Sequence, residues 1–277
     1  MFQMIRKIAI SLLLCFAMGV PQVALAQCQA INEAFQSGEQ VVYNLYFNWK
    51  FIWKKVGIAS LTTNETTYQN KPAYRFTLTS VSSKQCDFFF KMRDTLTCMT
   101  SQLLEPLYFR KAAEEGKRFT IDEAWFSYAD GRSNVHQRRT WIKPEREPYE
   151  MDYSDERCIF DMLSILAQAR SYRAEDYQVG DRIHFPMATG RRVDPQTLIY
   201  RGKKRVKADD DNNYDCLVFS FVEYDKKNKE HEVITFYISD DRNHLPIRLD
   251  LYLNFGCAKA FFKKVHGNRY PLQPVTD

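Results

Sequence analysis

Seven cysteines, five histidines and a few adjacent carboxylates are the side chains through which this sequence could do chemistry. Cys15 lies in an N-terminal leader; Cys28, Cys86, Cys98, Cys158, Cys216 and Cys257 follow it. In an oxidising compartment these six suffice for three disulfides, and their wide spacing suits staples on a domain with its own core rather than a miniprotein framework. No two stand at CxxC spacing, which argues against a redox motif or a zinc ribbon. His136, His184, His231, His244 and His266 are scattered singly, without a second ligand at metal spacing.

The carboxylates give no clearer constellation. Asp240-Asp241 precede Arg242-Asn243 in what reads as a hairpin turn, and Asp209 to Asn213 has calcium-loop composition without the glycine and terminal glutamate of an EF-hand. There is no GxSxG, HExxH, P-loop or dinucleotide fingerprint. The reading is therefore of no catalytic residue, no metal and no cofactor. Paired carboxylates contributed by separate strands, as a glycan-acting enzyme would use, are invisible at this level and leave that class a distant third.

Compartment is written at the N-terminus. Arg6 and Lys7, the apolar run Ile8 to Val20 and Ala24-Leu25-Ala26 make residues 1–26 a secretory signal peptide, its core too short to span a bilayer. The mature chain is expected to begin at Gln27 and to be periplasmic or outer-membrane associated in a Gram-negative bacterium. Cys28 could accept a lipid, but the residue before a lipidated cysteine should be small and Gln27 is not, so soluble export is preferred. No later segment is long and apolar enough to cross a membrane. Without the two leader cations, 37 basic residues face 34 acidic ones, too even a balance to indicate nucleic acid. Lys203, Lys204, Arg205 and Lys207 form the densest basic cluster and read as solvated surface.

Residues 27–277 are expected to form a single β-rich domain, with 143–148 the weak point if the chain divides. Alternation of period two sets its elements: Val41, Tyr43, Leu45, Phe47, Trp49; then Tyr74, Phe76, Leu78; Leu217, Phe219, Phe221; Ile234, Phe236, Ile238; and Ile247 through Phe255. Turn residues such as Asp130-Gly131 and Gln69-Asn70-Lys71-Pro72 separate the strands at meander spacing. From Cys158 to Arg170 the apolar period becomes three and four, which predicts one helix, capped by Ser154 or Asp155, lying as a plug or lid on the concave side of a curved sheet or covering a sheet edge. The fold class is mainly β, a curved antiparallel sheet or half-barrel with one inserted helix at about 158–170. Aromatic residues make up 14% of the chain, and consecutive rings such as Phe88-Phe89-Phe90 need two apolar environments: either both faces are covered, or some rings line a cavity or an interaction surface, with core packing the ordinary account of any single ring.

Several motifs together resemble the uncharacterised bacterial exported family called domain of unknown function 3108. They are Phe35-x-x-Gly38-Glu39-x-x-x-Tyr43 leading to Val56-Gly57-Ile58, Asp161-Met162-Leu163-Ser164 with Arg170, Gly180-Asp181, and Ser239-Asp240-Asp241 followed by Leu245-Pro246-Ile247-Arg248. An aromatic pair often found before the helix-ending arginine is here Ala167-Gln168. The resemblance implies an exported β-rich domain, similar to the half-barrels of lipid-handling proteins, and brings no catalytic residues. Gly38, Glu39, Gly57, Asp161, Ser164, Arg170, Asp241, Pro246 and Arg248 then read as a structural motif: Gly38 and Gly57 at turns or close approaches, Asp161 at the helix start, Arg170 satisfying carbonyls at its end, Arg248 pairing with Asp161 or Asp240.

The function expected is non-enzymatic binding of an apolar ligand, a lipid or a lipidated envelope partner, by Tyr43, Phe47, Trp49, Phe76, Leu163 and Phe236. The alternative is an assembly module that binds another envelope protein through a sheet edge or aromatic patch.

Overall fold

The structure, a computed structural model, describes residues 28–49, 52–88, 90–225, 227–253 and 256–275. The signal-peptide reading of residues 1–26 and the start at Gln27 lie outside them. Strands β1 (Glu39–Trp49), β2 (Ile52–Tyr68), β3 (Lys71–Ser82), β4 (Met92–Ser101), β5 (Pro106–Glu115), β6 (Arg118–Ala129), β7 (Arg132–Lys143) and β8 (Glu145–Asp155) form the first half. The second half is β9 (Arg182–Ala188), β10 (Val193–Lys207), β11 (Asn213–Tyr224), β12 (Glu230–Ser239), β13 (Pro246–Leu253) and β14 (Gly256–His266). A single-turn helix α1 (Lys84–Asp87), absent from the sequence reading, joins β3 to β4, and α2 (Met162–Ala169) stands between the halves.

All of these strands belong to one antiparallel sheet in the order β8-β7-β6-β5-β4-β3-β2-β1-β14-β13-β12-β11-β10-β9. Each half is a meander, as the short turns require, and the pairing of β1 with β14 joins them. At the β2–β3 and β6–β7 turns, Gln69-Asn70 and Asp130-Gly131 have positive φ at both central positions, the geometry whose twist matches two-residue hairpins. Residues 143–148 are the β7–β8 hairpin.

The sheet nearly closes into a barrel, and its seam lies between β8 and β9. Residues leading into α2 fill that seam. Phe160 bridges Met187 in parallel fashion, its N–H donating to the Pro186 carbonyl (3.0 Å) and its carbonyl accepting from the Ala188 N–H (2.8 Å). On the other side the Ile159 N–H donates to Ser133 Oγ on β7 at 3.3 Å. Further along, the Gly190 N–H donates to Gln137 Oε1 at 2.8 Å, and a Cβ at Gly190 would stand 2.3 Å from the Asp122 Cβ. With φ +82°, only glycine suits this close crossing of the seam.

Helix α2 is buried on two sides, as a helix inside a barrel must be. Leu163 and Ala167 join a core that includes Phe35, Tyr43 and Phe76, whereas Ile165 joins Phe185, Phe219 and Phe221. The plug reading of the helix is thus the observed one. Its cap is the motif's Asp161 and not Ser154 or Asp155: Asp161 Oδ1 accepts from the N–H groups of Leu163 (2.8 Å) and Ser164 (3.0 Å), while Ser164 Oγ accepts from the Asp161 N–H (2.9 Å). Ser154 and Asp155 are in β8, because the chain extends through Asp155 before turning inward. The cysteines also depart from the three-disulfide reading. Cys28 and Cys158 are bonded with Cα atoms 5.1 Å apart, whereas Cys86, Cys98, Cys216 and Cys257 are free. The disulfide occupies the Cys28 sulfur that a lipid would need.

Candidate functional site

An apolar cleft on the concave face is the candidate site, and strand register builds it. Leu198, Phe219, Phe221, Phe236 and Ile238 face Ile165, Leu166 and Ala169 of α2 around a dimple of about 20 Å³, room for one water. From there the same face continues across the sheet. Phe236 stands opposite Leu249, Leu249 opposite Ala260, and Ala260 opposite Leu45. One step toward the β1–β2 turn, Phe221 stands opposite Ile234, Ile234 opposite Leu251, Leu251 opposite Ala258, and Ala258 opposite Phe47.

Directly opposed residues share a face of a sheet, so both rows turn toward the helix side. From β12 to β1 every member of the two rows is only partly buried: Leu45, Phe47, Ile234, Phe236, Leu249, Leu251, Ala258 and Ala260. A core residue at such a position would be sealed. Leu45, Leu249 and Ala260 pack against one core cluster and Ile234 and Phe236 against the other, yet none is sealed, so this stretch is the shallow, least covered part of the concave face, aliphatic and aromatic along its length.

Across the barrel the wall is polar. Leu96, in the core, stands opposite Lys111, Lys111 opposite Asp122, and Asp122 opposite Arg139. Arg139 clasps Asp122 through Nε and through Nη2 to Oδ2 at 2.6 Å, and Lys111 Nζ lies 3.6 Å from Glu115 Oε1. Asp94, in phase with Leu96, is 8% exposed and its Oδ1 has no hydrogen-bond partner. Burial, reinforced by the Glu115 charge, raises its pKa to about 7. None of these inward charges stands out in the sequence; the available signal is a run of charged residues in phase with the buried positions of β4 to β7.

A buried ion pair seats the plug. Arg170 Nη1 donates to Glu39 Oε1 (2.5 Å) and Nη2 to Oε2 (3.0 Å), while Nη2 also donates to the Asn243 carbonyl (2.8 Å). The guanidinium lies over the Phe35 ring, 5.1 Å from its centroid. The Arg170 N–H donates to the Leu166 carbonyl of its own helix (3.2 Å), but its side chain satisfies no helix carbonyl, since it reaches the first strand and the β12–β13 turn. Beside the pair, Tyr43 is buried with its hydroxyl unpartnered, and burial pushes its pKa up. Asp161 is fully buried, which raises its pKa, and Cys98 Sγ lies 3.3 Å from its Oδ2; burial likewise raises the Cys98 thiol.

Of the residues expected to bind ligand, the structure places Phe47 and Phe236 in the cleft wall and Tyr43, Phe76 and Leu163 in the packed core. Trp49 ends β1, paired with Ile52, and its ring lies outside the described residues. Gly38 has φ +88° just before β1, and a Cβ on Gly57 would meet the Val81 carbonyl oxygen at 2.3 Å. Asp241 Oδ1 accepts from Ser239 Oγ (2.7 Å) and the Asn243 N–H (3.0 Å), which shapes the β12–β13 turn, and Pro246 stands opposite Ile238. Arg248 pairs with neither Asp161 nor Asp240. It points to the convex face, where it donates to both Asp250 oxygens (2.7 and 2.6 Å) between the rings of Tyr237 and Phe261, while Asp161 is sealed inside and Asp240 takes Lys203 at 2.6 Å.

Among known structures, the β-barrel-like protein of domain of unknown function DUF1849 from Brucella abortus shares the fold. It has 12% identity and a TM-score of 0.52, and the match covers 84% of this chain and 98% of that one. A protein with a YmcC-like fold from Bacteroides fragilis matches at 9% identity and a TM-score of 0.34, over 86% of this chain and 99% of that one. No curated protein matches the sequence. The model of the family described as "Protein of unknown function (DUF3108)" matches residues 42–263, a span that holds both halves of the sheet, the plug helix and most of the motif residues, and the chain belongs to that family.

Proposed function

We propose that this protein is an exported, non-enzymatic envelope protein that holds an apolar ligand, a lipid or the acyl group of a lipidated partner, along the cleft between the plug helix and β11–β14 and β1. The observation that carries this reading is the pair of inward-facing, partly buried apolar rows from Ile234 and Phe236 to Phe47 and Leu45. The dimple under the helix is too small for an acyl chain, so the ligand lies in the open part of the cleft. An elongated apolar chain matches a wall of this composition, since burying each CH₂ group is worth about 0.8 kcal/mol.

The test is native mass spectrometry of the protein purified from its own envelope, with organic extraction of what it carries, on wild type and on Leu249→Glu. A stoichiometric apolar adduct on the wild type, lost in the folded variant, is expected. A bare mass for the wild type after gentle purification, or an adduct that survives Leu249→Glu, overturns the proposal. The rival reading, an assembly module, is favoured by one feature: β8 is a terminal strand of the sheet, largely exposed along its length, and offers backbone groups to an added strand.

A further inference from the structure

Large apolar side chains are exposed along one rim of the barrel, and basic residues stand among them. Phe88 and Phe90, between β3 and β4, are 88% and 55% exposed. Trp53 on the β1–β2 hairpin and Tyr252 and Leu253 on the β13–β14 hairpin are exposed as well. Strands β4, β3, β2, β1, β14 and β13 are consecutive in the sheet, so these tips are neighbours. Lys54, Lys55 and Lys84 are exposed beside them, and Lys117 is exposed on the β5–β6 hairpin next along. Lys54 stands opposite Phe47, which sets this rim at the end where the apolar cleft opens.

We propose that this rim docks on a membrane surface bearing anionic headgroups, with Phe88 and Phe90 entering the interface and the lysines meeting the headgroups. Aromatic rings flanked by lysines suit the boundary between headgroups and acyl chains. Protein interfaces, by contrast, are depleted of lysine near their apolar centres, which disfavours a protein occupant here. Docking does not depend on what the cleft carries: a protein with an empty cleft would still dock.

The experiment is co-sedimentation of the protein with vesicles of phosphatidylcholine alone and of phosphatidylcholine with phosphatidylglycerol, at low and high salt. Pelleting is expected with the anionic vesicles and should fall at about 1 M salt, where the Debye length shrinks to about 3 Å. Lys54→Glu/Lys55→Glu should lower partitioning roughly thirtyfold or more, from a factor of about five for each lysine lost at an anionic surface. Phe88→Ser/Phe90→Ser should lower it about tenfold or more. All four substituted side chains are exposed, so unchanged circular dichroism is expected and excludes misfolding as the cause. Failure to pellet with anionic vesicles, equal pelleting with both vesicle types, or pelleting that survives both variants overturns the proposal and leaves a protein as the rim's occupant. The ligand reading stands or falls separately, on the adduct of the Leu249→Glu comparison.

Discussion

Removing Arg170 should unseat the plug helix at a cost far above that of a surface mutation. Arg170 and Glu39 are 2% and 1% exposed, joined by two hydrogen bonds, with a third from Arg170 to the Asn243 carbonyl at 2.8 Å. In Arg170→Ala the Glu39 carboxylate stays buried without its cation, which costs about 3–5 kcal/mol when a buried pair is broken from one side. The stranded Asn243 carbonyl and the lost stacking on Phe35 push toward the upper end of that range. For a domain of this size a loss of about 4 kcal/mol lowers Tm by roughly 8–16 °C. Replacing both partners, as Glu39→Leu/Arg170→Met, removes the charge left alone and should cost no more than about 2 kcal/mol, so the double variant is more stable than Arg170→Ala. Urea unfolding followed by tryptophan fluorescence, with the slope checked against wild type, measures both. A loss below about 1 kcal/mol in Arg170→Ala, or a double variant as unstable as the single one, would refute the reasoning that a buried Glu39 carboxylate left without its cation is what destabilises the single variant.

Three further outcomes follow from the interior. Asp94 holds its proton to about pH 7 when folded, against an ordinary pKa of 3.8, so the unfolded chain loses this proton first and native stability falls as pH rises through that window. Asp94→Asn should therefore raise Tm at pH 8 and change it little at pH 4, and a gain that is the same at both pH values would exclude this origin. Thiol titration of residues 28–277 in denaturant without reductant should find four free thiols, from Cys86, Cys98, Cys216 and Cys257, where a fully paired protein would give none. Cys28→Ser, which opens a link across 130 residues, should lower stability by about 2–5 kcal/mol, and an unchanged unfolding midpoint would show that the link contributes nothing.

The elements of this fold are largely legible because their signals are local. Val41 to Phe47 alternate because one face of β1 is inside, Asp130-Gly131 turns because that pair accepts positive φ, and the three-four spacing after Cys158 marks the helix. The short helix α1 escapes a sequence reading because a single turn has no apolar period to show. The helix cap lies six residues or more beyond the Ser154 or Asp155 that apolar spacing suggests, because several acidic and hydroxyl residues precede Met162; the family motif points to Asp161, and the inward turn at the seam is what places it there.

Side-chain alternation alone determined that this is a meandering antiparallel sheet with a helix inserted midway, since strands and helices impose periods that a chain must carry residue by residue. Closure of the sheet decided the rest. Glu39 and Arg170 are 131 positions apart, and no local pattern says that they meet. Phe47 and Tyr43 alternate in phase on one strand, yet Tyr43 is sealed under the plug and Phe47 looks into the cleft. Alternation says which face a side chain takes; only the curvature of the barrel and the depth of the helix within it set whether that face is packed or open to a ligand.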